Sequence, residues 1–128
     1  MQSPPKPRTH ILIYLPRFVA GIESLRKRQT IRGLGKYAPG DQLKHRCWRG
    51  VPYRSRQREF LLSYCEAVEP IEIEVDSNGI SIRLSGLSLR PVYAERFAVA
   101  DGFESLEDMR EFYAKRSITD FKGVVLRW

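Results

Sequence analysis

Cys65-Glu66-Ala67-Val68-Glu69-Pro70-Ile71-Glu72-Ile73-Glu74-Val75-Asp76, followed by Ser77-Asn78-Gly79 and Ile80-Ser81-Ile82-Arg83-Leu84, is the stretch that decides the fold class. Val68, Ile71, Ile73 and Val75 are separated mostly by glutamates, the period-two pattern of a strand with one buried and one solvated face. Asn78-Gly79 tolerates the positive φ angles that tight hairpin turns demand, so Ile80–Leu84 reads as the returning strand. Pro70 cannot donate to a ladder and marks a bulge or a local edge. Antiparallel pairing is therefore the organising principle of the chain.

Outward from the hairpin, the pattern alternates between strands and short helices. Leu87-Ser88-Leu89 reads as one more short strand and Pro91–Ala100 as a helix. Ser105–Arg116 is a stronger helix, with Leu106, Met109, Phe112 and Tyr113 on one face, Ser105 as N-cap, Asp108 in the first turn, and Lys115 and Arg116 at the dipole's negative end. Phe121–Trp128 closes the chain as a strand, with Val124-Val125-Leu126 in the core and Trp128 as an anchor. Toward the N-terminus, Gln42–Trp48 and a segment around Gln29–Arg32 read as strands, separated by the turn signals Gly33-Leu34-Gly35 and Pro39-Gly40-Asp41. Phe18, Val19, Ile22 and Leu25 recur at helical spacing over Arg17–Arg26, with Pro16 at the helix start. His10–Leu15 is a first strand, and Met1–Arg8, with three prolines, is an N-terminal tail. Residues 9–128 form one domain: an α+β fold, a small mixed, mostly antiparallel β-barrel with two or three helices.

Composition bounds the function. The chain has 128 residues, 42% of them hydrophobic, which suffices for one core. No apolar run approaches a membrane span and no secretory signal is present, so the expectation is a soluble, cytoplasmic protein with no membrane partner. Cys47 and Cys65 form no CxxC pair and read as buried reduced thiols; His45-x-Cys47 lacks further ligands, so no metal and no cofactor is expected. The net charge of +7 is uneven: residues 1–64 carry 14 basic and 3 acidic groups (+11), and residues 65–128 carry 8 basic and 12 acidic groups (−4). A basic face concentrates polyanions, of which nucleic acid is the commonest in a cell.

Two clusters carry chemistry. Lys27-Arg28-Gln29-Thr30-Ile31-Arg32 joins an amine, a hydroxyl and a guanidinium, the set a pocket for an anionic or carbonyl-bearing ligand would use. Residues three apart on a strand point to opposite sides, so Lys27 and Thr30 meet only if Lys27 lies in the helix-to-strand turn, leaving Thr30 and Arg32 on one strand face. A catalytic Lys27 must fall from its ordinary value of about 10.4 toward roughly 7–8, which requires burial and neighbouring positive charge. The second cluster, Lys44 to Arg58, interleaves Arg46, Arg49, Arg54, Arg56 and Arg58 with Trp48 and Tyr53. Guanidinium forks suit phosphates and aromatic faces suit unpaired bases. Trp48, beside alternating strand residues, reads as core; Tyr53, beside Pro52, reads as a loop aromatic. His10 has no evident partner.

The order Phe18…Ile22…Lys27-x-x-Thr30-Ile31-Arg32, Pro39-Gly40-Asp41, Ala100-Asp101-Gly102-Phe103 before the Ser105 helix, and closing Phe121-Lys122-Gly123-Val124-Val125-Leu126-Arg127-Trp128 resembles ASCH-domain proteins of the PUA-like superfamily. The long Ile80–Phe97 segment resembles larger bacterial or phage members. The resemblance implies a PUA-like barrel with a cleft lined by Lys27, Thr30, Arg32 and Asp101, and RNA, single-stranded nucleic acid or a modified nucleoside as partner. Some relatives are amidohydrolases that deacetylate acetylcytidine; by that correspondence Thr30 is the nucleophile, Lys27 its base and Asp101 the acidic residue. Others have been linked to RNA binding or cleavage, so a ribonuclease is a further alternative, as is a cleft serving a protein partner. Two positions depart from the family pattern: its acid is a glutamate where this chain has Asp101, and its usual glycine two residues before the lysine is Leu25. On the binding reading, Arg28, Arg32, Arg46, Arg49, Tyr53, Arg54, Arg56 and Arg58 contact nucleic acid.

Overall fold

The computed structural model describes residues 6–128, so part of the expected tail Met1–Arg8 lies outside the described residues. In chain order the elements are β1 (Thr9–Ile13), α1 (Pro16–Glu23), β2 (Gln29–Gly33), β3 (Gln42–Trp48), β4 (Gln57–Tyr64), β5 (Ala67–Asp76), β6 (Gly79–Leu84), β7 (Leu87–Ser88), α2 (Pro91–Ala100), α3 (Leu106–Lys115) and β8 (Asp120–Arg127). The fold is α+β with three helices and mostly antiparallel sheets; β1–β3 is the one parallel pairing among the described residues. The ladders do not close into a barrel. They form a three-stranded sheet in the order β1-β3-β4 and a five-stranded sheet in the order β2-β8-β5-β6-β7.

The hairpin forms as its alternation predicts. Ile71, Ile73 and Val75 are buried and Glu72 and Glu74 exposed, with Asp76 paired to Gly79. The turn differs in mechanism: no residue from Asp76 to Gly79 has positive φ, and the Asp76 carboxylate accepts from the N–H groups of Asn78 (2.8 Å) and Gly79 (2.9 Å). A side-chain acceptor thus replaces the backbone freedom of the Asn-Gly pair. Pro70 pairs with Val124 of β8 and lies one residue outside the β5–β6 ladder, which begins at Ile71; no bulge is needed, because the missing N–H falls where β6 has already left.

β4 was not foreseen. Its exposure follows no clean alternation, because it is an edge strand and its partner β3 carries a register shift between His45 and Arg46. Trp48 is also corrected. It is half-buried at the end of β3 with its ring 5.1 Å from the Tyr53 ring, outside the core cluster. His10 gains a partner: its Nε2 lies 2.7 Å from Asp41 Oδ2, the acid of the Pro39-Gly40-Asp41 turn. Burial pushes that carboxyl up, but N–H donors from Arg8 and Ala38 together with His10 outweigh it and hold Asp41 below its ordinary range. Both cysteines are buried and free.

Two helix ends position the site. α1 stops at Glu23, three residues before its expected end, because Leu25 adopts left-handed backbone (φ 63°), and the Lys27 N–H then bonds back to the Gly21 carbonyl at 2.9 Å. α2 ends in a Schellman motif: Gly102 (φ 101°) donates to the Val99 carbonyl and Phe103 to the Ala98 carbonyl, each at 3.0 Å. The two reversals face each other. β2 is held against β8 by close backbone approach, since a Cβ on Gly123 would lie 2.2 Å from the Arg32 carbonyl oxygen.

Candidate functional site

Lys27 lies in the turn between α1 and β2, which satisfies the geometric condition read from the sequence. Thr30 and Arg32, two apart on β2, line the same cavity as Lys27 and Asp101, a space of about 160 Å³. Its other walls are largely aromatic and apolar and include Tyr14, Phe18, Phe103, Phe112 and Tyr113. Phe112 and Tyr113, on the apolar face of the Ser105 helix, therefore also shape the site, as does Phe103.

Lys27 is 3% exposed. Its Nζ donates to the backbone carbonyl of Asp101, the C-cap of α2, so a cation satisfies an orphan carbonyl at the negative end of a helix. The Asp101 carboxylate is less well served: Oδ1 is 3.5 Å from Lys27 Nζ and accepts from Gln29 Nε2 at 3.4 Å. Burial pushes the Asp101 carboxyl up to about 6, against the opposing pull of Lys27, Gln29 and Arg32. Burial also lowers Lys27, helped by the Arg32 charge and opposed by Asp101. Each partner thus moves toward its neutral form, because a dry site penalises both charges and the contact between them is long.

Thr30 is not hydrogen-bonded to Lys27. Its Oγ1 accepts from Arg32 Nε at 3.3 Å, while Arg32 Nη2 donates to the Ile13 carbonyl at 3.1 Å and the guanidinium lies 4.6 Å from the Tyr14 ring centroid. Among the described residues Arg32 has no carboxylate partner, although it is only partly exposed. A guanidinium held by neutral groups alone keeps its charge available to an anionic or strongly polar ligand.

Behind this wall lies a polar chain that sequence reasoning missed. Tyr14 Oη is 2.9 Å from His45 Nδ1, and His45 Nε2 is 2.7 Å from Ser63 Oγ. Burial lowers His45 to about 4, with Arg32 and Lys27 adding to the effect, and burial raises Tyr14. Both groups are therefore neutral near pH 7, so one imidazole nitrogen donates and the other accepts along the Tyr14–His45–Ser63 chain. The signal was the alternation of β3, which buries Leu43, His45 and Cys47 on one face. His45 thus belongs to the interior, not to the basic cluster.

The remaining basic residues divide. Arg28 Nε donates to the Trp128 carbonyl at 2.9 Å and Trp128 returns its N–H to the Arg28 carbonyl at 3.1 Å, so Arg28 fastens the chain end and is not part of the cavity wall. Arg46 is engaged by Glu59 (3.2 Å) and Gln57 (3.3 Å), and Arg58 by Glu23 (3.2 Å). Arg49, Arg54 and Arg56 are exposed and, among the described residues, have no ion-pair partner. They surround Tyr53, 88% exposed with φ 64°, at the tip of the β3–β4 hairpin, where Ser55 Oγ accepts from Gly50 N–H at 3.0 Å and donates to the Val51 carbonyl at 2.9 Å.

Among the described residues no group of three or more metal-binding side chains occurs, and no helix is long and apolar enough to cross a membrane. Compared with known protein families, with curated proteins and with solved structures, the chain finds no match.

Proposed function

We propose that this chain is an ASCH-type domain of the PUA-like superfamily that binds RNA or a modified nucleoside in the cytoplasm. The cavity lined by Lys27, Thr30, Arg32 and Asp101 takes the base, and the hairpin tip contacts phosphates. The carrying observation is the convergence of these four polar side chains on one aromatic-walled cavity of about 160 Å³, with Arg32 in no ion pair among the described residues. Such a site combines surfaces for stacking with fixed donors and acceptors for a base edge. Leu25 adds support: the resemblance expects glycine there, and the backbone is left-handed, the conformation glycine adopts most readily. Arg49, Arg54 and Arg56 supply unpaired cations beside the exposed Tyr53 face.

Titration of pyrimidine ribonucleosides and single-stranded RNA by calorimetry tests this reading. Thr30→Val and Arg32→Gln should each weaken binding by about tenfold or more, the effect of removing one charge-assisted or buried hydrogen bond. Unchanged affinity in both variants refutes the assignment.

Amidohydrolysis of an acetylcytidine-like nucleoside is the second reading, favoured by the lowered Lys27 and the Thr30 hydroxyl in the same cavity. Thr30 Oγ1 would attack the acetyl carbon and pass its proton to the Lys27 amine, whose burial favours the unprotonated base this step requires, with Arg32 facing the oxyanion. The C–N bond then breaks as the proton moves to the departing amine, and water releases acetate. Lys27 must first leave the Asp101 carbonyl. Acetate release from acetylcytidine, abolished by Thr30→Val in a folded protein, would establish this reading; no release from the wild-type chain would remove it.

A further inference from the structure

The cavity is small. An engineered apolar cavity of about 150 Å³ takes up benzene, so about 160 Å³ admits one six-membered ring and leaves a ribose outside. A second depression of about 720 Å³ lies between α1 and α2 and shares Lys27 and Phe103 with the cavity. Lys27 and Phe103 thus border both spaces, and glycine backbone packs closely on the lysine stem: a Cβ on Gly102 would lie 2.9 Å from Lys27 Cδ, and one on Gly21 would lie 3.4 Å from Lys27 Cβ.

Two guanidinium groups line the groove without a carboxylate partner among the described residues. Arg26, just beyond α1, donates from Nε to the neutral Ser24 Oγ at 3.1 Å, and Arg96, on α2, lies 5.7 Å from the Tyr93 ring centroid. Of the groove's carboxylates, Glu95 is occupied by the Leu106 N–H at 2.9 Å, where α3 begins, and Glu104 is exposed. Arg17, the third guanidinium, is already bound to Asp108.

We propose that the groove between α1 and α2 is the subsite for the ribose phosphate of a nucleotide whose single-ring base fills the cavity. The ligand is then a pyrimidine nucleotide, as it occurs in a strand, and not a free nucleoside. Arg26 and Arg96 hold the phosphate, and the ribose crosses the border that Lys27 and Phe103 share between the two spaces. This rests on the nucleic-acid reading above and specifies its ligand.

Calorimetric titration of the full chain with cytidine, cytidine monophosphate (5′ and 3′) and adenosine monophosphate tests the proposal. One of the cytidine monophosphates should bind about tenfold or more tightly than cytidine, the effect of one or two charge-assisted hydrogen bonds. Adenosine monophosphate should bind more weakly than that cytidine nucleotide. In Arg26→Gln/Arg96→Gln, with an unchanged circular dichroism spectrum, the ratio of nucleotide to nucleoside affinity should fall toward unity. Equal affinity for cytidine and both monophosphates overturns the groove assignment while leaving nucleoside binding intact. A ratio that survives this double substitution but collapses in Arg54→Gln/Arg56→Gln also overturns it, assigning the phosphate to the hairpin tip. Absence of binding by every probe, RNA included, removes the nucleic-acid reading and this inference together.

Discussion

Lys27 and Arg54 belong to the same basic half of the chain but keep their charge under opposite conditions. Lys27 is 3% exposed, bonded to the end of α2, and pushed by burial toward its neutral form. Arg54 is exposed, without an ion-pair partner among the described residues, beside a tyrosine that is 88% exposed. In the cavity, charge depends on tertiary contacts and is sensitive to every neighbour. At the hairpin tip, charge is a solvated surface property that costs little to keep and, screened by salt, contributes little to stability. Recognition by shape and polarity belongs to the first region, and electrostatic attraction to the second.

Removing one partner of the buried pair should give the largest effect. Asp101→Ala or Lys27→Ala leaves an uncompensated group in a dry site and should cost about 3–5 kcal/mol in urea unfolding. Arg49→Ala, Arg54→Ala and Arg56→Ala should each stay within about 0.5 kcal/mol of wild type. A hairpin variant as damaging as Asp101→Ala would erase the distinction between the regions.

The pH dependence of stability sharpens it. Asp101 has a folded pKa raised to about 6, so the folded state holds the extra proton, and its contribution to stability falls as pH rises from about 4 to 6. His45, lowered to about 4, works in reverse: the unfolded state holds the extra proton, and stability rises over about pH 4 to 6.5. The two act in opposite directions over this range. Asp101→Asn should therefore unmask a rise in stability with pH on the order of 3 kcal/mol, and His45→Gln a fall of similar size. Unfolding free energies measured from pH 4.5 to 6.5 check both signs; identical profiles for the two variants would contradict the burial of these groups.

Leu25→Gly should relieve the left-handed backbone before Lys27 and stabilise the fold by about 0.5–1 kcal/mol, seen as a raised thermal midpoint. A lowered midpoint would mean that the Leu25 side chain contributes more than its backbone strain. The smallest change in stability, with a distinct change in binding, belongs to the triple alanine variant at Arg49, Arg54 and Arg56. Its thermal midpoint should stay near wild type while the slope of log affinity for single-stranded RNA against log salt becomes shallower by about 0.7 for each phosphate that is no longer neutralised. An unaltered slope would exclude the hairpin from the interface.

The contrast between the regions also explains what was legible beforehand. The exposed Tyr53 and its neighbouring arginines could be read from local turn residues and charge density, although the hairpin that carries them, whose second strand is β4, could not. Even there, Arg46 and Arg58 turned out to be engaged by Glu59 and Glu23. In the cavity the motif pointed to Lys27, Thr30, Arg32 and Asp101, but gave the wrong internal pairing: Lys27 bonds to Asp101 and Thr30 to Arg32. The alternation of β3 placed His45 inside, but nothing local named the partners of Tyr14, Gln29 or His45, since an isolated polar residue within a strand pattern does not say which long-range group will satisfy it. β4 escaped because an edge strand beside a register shift loses the alternation by which strands are recognised.

Local chemistry in the sequence determined the β5–β6 hairpin, both proline-started helices and the Ser105 cap whose Oγ accepts from the Asp108 N–H at 3.0 Å. Each follows from steric and hydrogen-bonding preferences acting over a few residues. Tertiary structure alone decided that two helix reversals, 74 residues apart in the pair Lys27 and Asp101, would face each other, and that two sheets would form in place of one closed ladder. Those outcomes depend on packing between distant segments and on the burial that shifts both members of the pair toward neutrality, neither of which a local pattern encodes.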